Sequence, residues 1–265
     1  MSVITTSSST ATLAVPYTCR CAFCGATIRH EAAVVSAGYA FKGGYADTAQ
    51  GQMMKMASGF QANANLPFEL EYAEKRLAHY RGIVASGKLK KYLETGKADK
   101  ADWFRVEEGS PLENYLKSKT NKTKGQAQTD TSRLTDWPYR WREFTKATRV
   151  KCPLCGKAQP WCEDMDGGGT GTIAFLLGFG GGCFIGLLPL IAGVQLPPEL
   201  ALLGIAPLGL GIAAWIVLYR ILRRRYLKKL AALPWNADDL PRFDEGFLAQ
   251  TKEQFDQYRK MGLMY

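Results

Sequence analysis

Seven cysteines carry most of the chemistry this chain can offer: Cys19, Cys21, Cys24, Cys152, Cys155, Cys162 and Cys183. Four of them form two copies of one short pattern, Cys21-Ala22-Phe23-Cys24-Gly25 and Cys152-Pro153-Leu154-Cys155-Gly156. Two thiolates three positions apart can grip one tetrahedral ion while backbone amides turn toward the sulfurs. A glycine after the second cysteine accepts the positive φ that closes such a turn. Cys21, Cys24, Cys152 and Cys155 are therefore the candidate metal ligands. Cys19 and Cys162 are left over, with Cys19 an alternative to Cys21 as ligand, and Cys183 sits in an apolar run as a small packing residue.

These two pentapeptides resemble the zinc-ribbon, or rubredoxin-type, pair of knuckles. The resemblance covers about ten residues at each knuckle and implies one structural Zn2+, not an activity. One departure stands out, since 127 residues (25–151) separate the pairs, against about 15–20 in a usual ribbon. Loop-closure entropy grows only logarithmically with length, so a long insertion is tolerated if its ends meet. A single shared four-cysteine site competes with two independent turns, a redox pair and free thiols.

Other catalytic signals are missing from the sequence. The two histidines, His30 and His79, belong to no H-E-x-x-H helix and have no sequence neighbours that make a triad. Gly167-Gly168-Gly169 reads as a hinge before an apolar run, not as a phosphate loop. Four thiolates close a zinc to substrate, so a non-enzymatic protein is expected.

Charge and hydropathy then locate the elements around the cysteines. The chain has 265 residues with net charge +10. Gly167 to Pro198 is 32 residues without a charge, and Leu200 to Tyr219 adds 20 more. About 20 apolar residues in a helix span a bilayer core of about 30 Å, which predicts two transmembrane helices at about 173–194 and 200–219, joined by Gln195-Leu196-Pro197-Pro198-Glu199. Gly178, Gly182 and Gly186 share one helix face, and Gly204 and Gly211 offer a matching one for helix packing. Arg220, Arg223, Arg224, Arg225, Lys228 and Lys229 follow at once, the pattern of cations held at an anionic cytoplasmic surface. Met1 to Pro16 lacks the basic and apolar regions of a secretory signal and reads as a disordered leader.

Between the knuckles the sequence is helical in pattern. Ala46 to Phe60, carrying Met53, Met54, Met56 and Phe60 as core filler, predicts one helix. Leu70, Ala73, Leu77, Tyr80 and Val84 recur at helical spacing in a second, with Pro67 suited to its first turn and a break at Gly82–Gly87 before a short helix Lys88–Leu93. Lys117 to Ser132 reads as a flexible loop, and Trp137 to Phe144 interleaves aromatics with arginines, as aromatic packing beside the ribbon or as a nucleic-acid platform. Asp244 caps an amphipathic C-terminal helix bearing Phe247, Leu248, Thr251, Phe255 and Tyr258 on one face, which is expected to dock within the chain.

The expected fold class is mainly α with a small β zinc ribbon, a cytosolic domain attached to a transmembrane α-helical hairpin. Its parts are a leader (1–16), a zinc-ribbon domain with a helical insertion (17–166), the membrane hairpin (171–219) and a basic juxtamembrane segment with the amphipathic helix (220–265). The expected function is that of a multi-pass membrane protein with both termini cytoplasmic, whose structural zinc organises a scaffold for a protein partner beside anionic lipid headgroups. A membrane-tethered nucleic-acid binder and a thiol or metal sensor are the alternatives.

Overall fold

The computed structural model describes residues 4–43, 49–118, 120–121, 128–129, 133–136, 150–163, 165, 169–184 and 206–261. They fall into two units, one of residues 1–88, 98–162 and 235–265 and one of residues 89–97 and 163–234.

The first unit is built on an antiparallel hairpin, β1 (Ile4–Arg20) and β2 (Thr27–Gly43), paired without interruption from Ile4↔Gly43 to Arg20↔Thr27. Alternation is plain at its closed end, where Val15, Tyr17 and Cys19 are buried and Thr18 and Arg20 exposed. The expected disordered leader is thus mostly strand. Its Ser/Thr-rich residues are compatible with a pleated backbone, and β2 supplies a partner for each residue from Ile4 on, which composition alone does not reveal.

A 37-residue helix α1 (Ala49–Ala85) packs along both strands. It replaces the two helices expected there. Pro67 lies inside it and not at a first turn; it removes one i→i−4 hydrogen bond, a loss of about 3 kcal/mol in an isolated helix, which burial of Leu66, Leu70, Tyr72, Ala73, Leu77 and Tyr80 along α1 offsets. Met56 and Phe60 are exposed, so these two do not fill the core. The helix ends before Ser86-Gly87, and α2 (Lys88–Thr95) follows.

Beyond it, β3 (Phe104–Arg105) pairs with β6 (Thr135–Asp136), and α3 (Pro111–Ser118) precedes the short ladder of β4 (Thr120–Asn121) and β5 (Gln128–Thr129). That ladder falls within the stretch expected as a loop. Tyr72, Phe104, Leu112, Tyr115 and Leu116 form a core with Phe68, Val106 and Leu134 against it. A buried polar group ties the same elements: Arg133 grips Glu69 through two hydrogen bonds of 3.0 and 2.7 Å, and the Tyr115 hydroxyl donates to Glu69 at 2.6 Å. The Arg133 guanidinium also lies 4.2 Å from the centre of the Tyr72 ring.

The C-terminal segment docks on this unit. β7 (Arg242–Phe243) pairs with β1 at Tyr17 and Thr18, giving the sheet order β2-β1-β7. Asp244 then caps α6 (Glu245–Lys260), its Oδ1 accepting from the Phe247 amide at 2.8 Å. Thr251 and Phe255 are the buried positions of the helix, and Lys252 bonds Glu74 of α1 at 2.9 Å.

The second unit holds α4 (Thr170–Ala174), a π-helical stretch Phe175–Gly180, helical residues 181–184, and α5 (Ala206–Ala231). The helical run from Thr170 to residue 184 and α5 meet through glycine. A Cβ at Gly178 would lie 2.7 Å from the Trp215 Cα, one at Gly182 2.7 Å from the Gly211 Cα, and one at Gly211 2.6 Å from the Cys183 Sγ. Gly186 and Gly204 lie outside the described residues. Phe175 packs edge-on against Trp215 with ring centroids 5.7 Å apart.

The expected transmembrane hairpin is overturned. Among the described residues no helix is long and apolar enough to cross a membrane. Within α5 the uncharged residues from Ala206 to Tyr219 are followed, in the same helix, by a segment with six cations between Arg220 and Lys229. Arg220, Arg223, Arg224, Arg225, Lys228 and Lys229 all lie within this helix. The π-helical stretch also interrupts the α-helical geometry of the first apolar run. The multi-pass membrane placement with both termini cytoplasmic falls with the spans. The fold class is corrected accordingly: the chain is a mixed helix–strand protein whose largest sheet among the described residues is a long hairpin extended by one short strand, and the expected membrane anchor is not part of it.

Candidate metal centre

The first knuckle is the tip of the β1–β2 hairpin. Arg20 and Thr27 are the last paired residues, and the intervening turn is closed by the Cys21 amide donating to the Ala26 carbonyl at 2.7 Å and the Gly25 amide donating to the Cys21 carbonyl at 2.9 Å. The second knuckle repeats this pattern. The Cys152 amide donates to the Lys157 carbonyl at 3.0 Å, the Gly156 amide donates to the Cys152 carbonyl at 2.9 Å, and Lys151 bridges Ala158. Both glycines take the left-handed conformation, with φ of 74° at Gly25 and 68° at Gly156. Equal spacing in sequence has produced equal backbone geometry at two places 128 or more positions apart.

The two tips face each other. Cys21 Sγ lies 3.7 Å from Cys155 Sγ, and Cys24 Sγ lies 3.6 Å from Cys152 Sγ. All four sulfurs fall within 4.8 Å of one another. A tetrahedral ion with metal–sulfur bonds of about 2.3 Å requires sulfur–sulfur edges of about 3.8 Å, so the donor set fits one ion. The cluster could hold a metal; Cys21 and Cys152 form its buried side, Cys155 is half-buried and Cys24 is exposed.

Three further contacts lock the knuckles together. The Ala22 amide donates to Gln159 Oε1 at 3.1 Å, Gln159 Nε2 donates to Cys21 Sγ at 3.4 Å, and the Lys157 ammonium sits 4.8 Å from the centre of the Phe23 ring. Behind them Trp161 packs edge-on against Tyr17 with centroids 6.1 Å apart.

Cys21 and Cys24 are pushed in opposite directions. Burial disfavours an ionised Cys21, but the amides of Phe23 and Cys24, the Gln159 side chain and the Cys24 thiol outweigh it and bring Cys21 down to about 6. The Ala26 amide favours the Cys24 thiolate, yet Cys21, burial, Cys152 and Cys155 together push Cys24 up to about 12. A thiolate at Cys21 resists a second at Cys24, a conflict that a cation between them would relieve.

Cys19 and Cys162 stand outside the cluster and are buried. Burial and the neighbouring Cys162 push Cys19 up to about 12, and Cys162 Sγ accepts from the Val150 amide at 3.3 Å. His30 stacks on Tyr17 with centroids 5.7 Å apart. His79 bonds the Asp102 carbonyl at 3.0 Å. Trp137 to Phe144 lies outside the described residues. Gln159 is a site residue the motif reading does not find; its only signal in the sequence is a lone amide side chain three positions after Gly156. No protein-family model, no curated protein and no solved structure matches this chain.

Proposed function

We propose that the four-cysteine cluster binds one zinc ion in a structural role, and that the protein is a non-enzymatic scaffold whose zinc-clasped hairpin presents a surface to a protein partner. The observation that carries this reading is the pair of inter-knuckle sulfur distances, 3.6 and 3.7 Å, which match the edges of a tetrahedral thiolate site. Four thiolates fill the coordination of zinc and leave no position for substrate or water. The ion closes a loop of 127 residues (25–151), so its binding energy, about 10–16 kcal/mol at pH 7 for structural zinc sites, is available to hold the insertion against the hairpin. Soft thiolates at this spacing favour zinc over harder divalent ions.

The test is metal analysis of the purified full chain beside Cys21→Ser and Cys152→Ser. The wild type is expected to carry one zinc, and either single variant to lose it, because the two distant pairs share the ion. One zinc retained in both variants, or none in the wild type, sinks the reading.

A further inference from the structure

Gln159 is completely buried, and each polar atom of its side chain has a partner. Oε1 accepts from the Ala22 amide at 3.1 Å, while Nε2 donates to the Lys157 carbonyl at 3.2 Å and to Cys21 Sγ at 3.4 Å. Its backbone is fixed as well, the amide donating to the Val150 carbonyl and the carbonyl accepting from the Cys162 amide, both at 3.0 Å. The amide orientation is dictated by these partners, since exchanging O and N would set an NH2 against the Ala22 N–H and an oxygen against both the Lys157 carbonyl and a sulfur. One residue of the second knuckle therefore reaches across to grip both the backbone and a ligand sulfur of the first.

We infer that Gln159 is the positioning residue of the metal centre: it pins the hairpin tip to the second knuckle through Ala22 and, by donating to Cys21 Sγ, tempers that thiolate as a metal donor and as a nucleophile. This rests on the reading of the cluster as a metal site. The physics is that of an outer-shell partner, which orients a ligand and tunes its electron donation. A hydrogen bond to a thiolate withdraws electron density from sulfur, so the sulfur gives less charge to the ion and attacks electrophiles more slowly. Cys24 and Cys155, which have no such side-chain donor from Gln159 and are more exposed, become the positions at which the loaded centre is open to alkylation or oxidation.

Cobalt(II) serves as the probe, because its thiolate charge-transfer bands report donation from sulfur. The full chain, Gln159→Met and Gln159→Glu are loaded with cobalt and compared, with far-ultraviolet circular dichroism to establish folding. Both variants remove the donor to Cys21; only Gln159→Glu keeps an acceptor for the Ala22 amide. The charge-transfer bands should move to longer wavelength in both, while affinity falls roughly 10–100-fold in Gln159→Met and at least as far in Gln159→Glu, whose second oxygen faces the Lys157 carbonyl and the Cys21 sulfur. In the cobalt-loaded wild type, iodoacetamide should modify Cys24 and Cys155 before Cys21, a readout that needs no variant to fold. Bands unmoved in folded variants, or Cys21 modified first in the wild type, overturn the role of Gln159 alone. A wild type that takes up no cobalt overturns the metal centre itself.

Discussion

Cys24 and Cys152 stand 128 positions apart in the chain, and their sulfurs lie 3.6 Å apart in the fold. The contact is prepared from both sides by the same turn, each closed on a glycine in the left-handed region.

That conformation gives a direct prediction at Gly156, whose surroundings leave open space around an added Cβ. Gly156→Ala introduces no collision, so its whole effect is backbone strain of about 1–2 kcal/mol for a left-handed alanine. Chemical denaturation of the metal-loaded protein should show a loss of that size. An unchanged midpoint would mean that the turn does not need its positive φ.

The Glu69–Arg133 pair should behave as a buried one. Glu69 is almost inaccessible and Arg133 largely covered, and the Tyr115 hydroxyl completes the carboxylate. Arg133→Met leaves a buried charge without its cation and should cost about 3–5 kcal/mol, while the double change Glu69→Leu with Arg133→Met recovers much of that. Strictly additive losses in the double-mutant cycle would contradict the pairing.

Glycine positions in the second unit separate into two kinds. Gly178→Ala and Gly182→Ala would each set a methyl 2.7 Å from backbone of α5, and should lower the thermal midpoint through overpacking of about 1–3 kcal/mol. Gly180→Ala and Gly181→Ala meet nothing within 4 Å and should be neutral or stabilising, by up to about 1 kcal/mol of helix propensity. Equal behaviour of the two sets would remove the close approach of the helices.

His79 supplies the pH dependence. Burial holds its pKa below the ordinary histidine value, against the opposing pull of the Asp102 carbonyl and carboxylate. The unfolded chain therefore binds this proton more readily than the folded one, so the neutral ring's contribution is complete above the unfolded pKa of about 6.5 and is lost as pH falls below it. Wild-type stability should drop more between pH 7 and pH 5 than that of His79→Gln, as read by urea midpoints across the range. Parallel curves would show that His79 titrates alike in both states.

The cysteine spacing pointed to the four residues that cluster in the fold, with Cys19 as an alternative to Cys21, and to the turn each pair adopts, because a C-x-x-C-G sequence encodes its own backbone geometry within five residues. The Asp244 cap was legible for the same reason, the cap and the amide it bonds being three positions apart. Hydropathy was a poorer guide. Uncharged length suggested two membrane spans, but among the described residues no helix is long and apolar enough to cross a membrane, and a π-helical stretch interrupts the first apolar run. Ser/Thr-rich composition suggested disorder over residues 1–16, of which those from Ile4 on each have a partner in the facing strand. Whether the two knuckles meet at all, and that Gln159 joins them, belong to tertiary structure. Local sequence fixes φ, ψ and hydrogen bonds between near neighbours, whereas contacts across more than a hundred residues depend on which buried faces, here those of α1 and the β1–β2 hairpin, find each other.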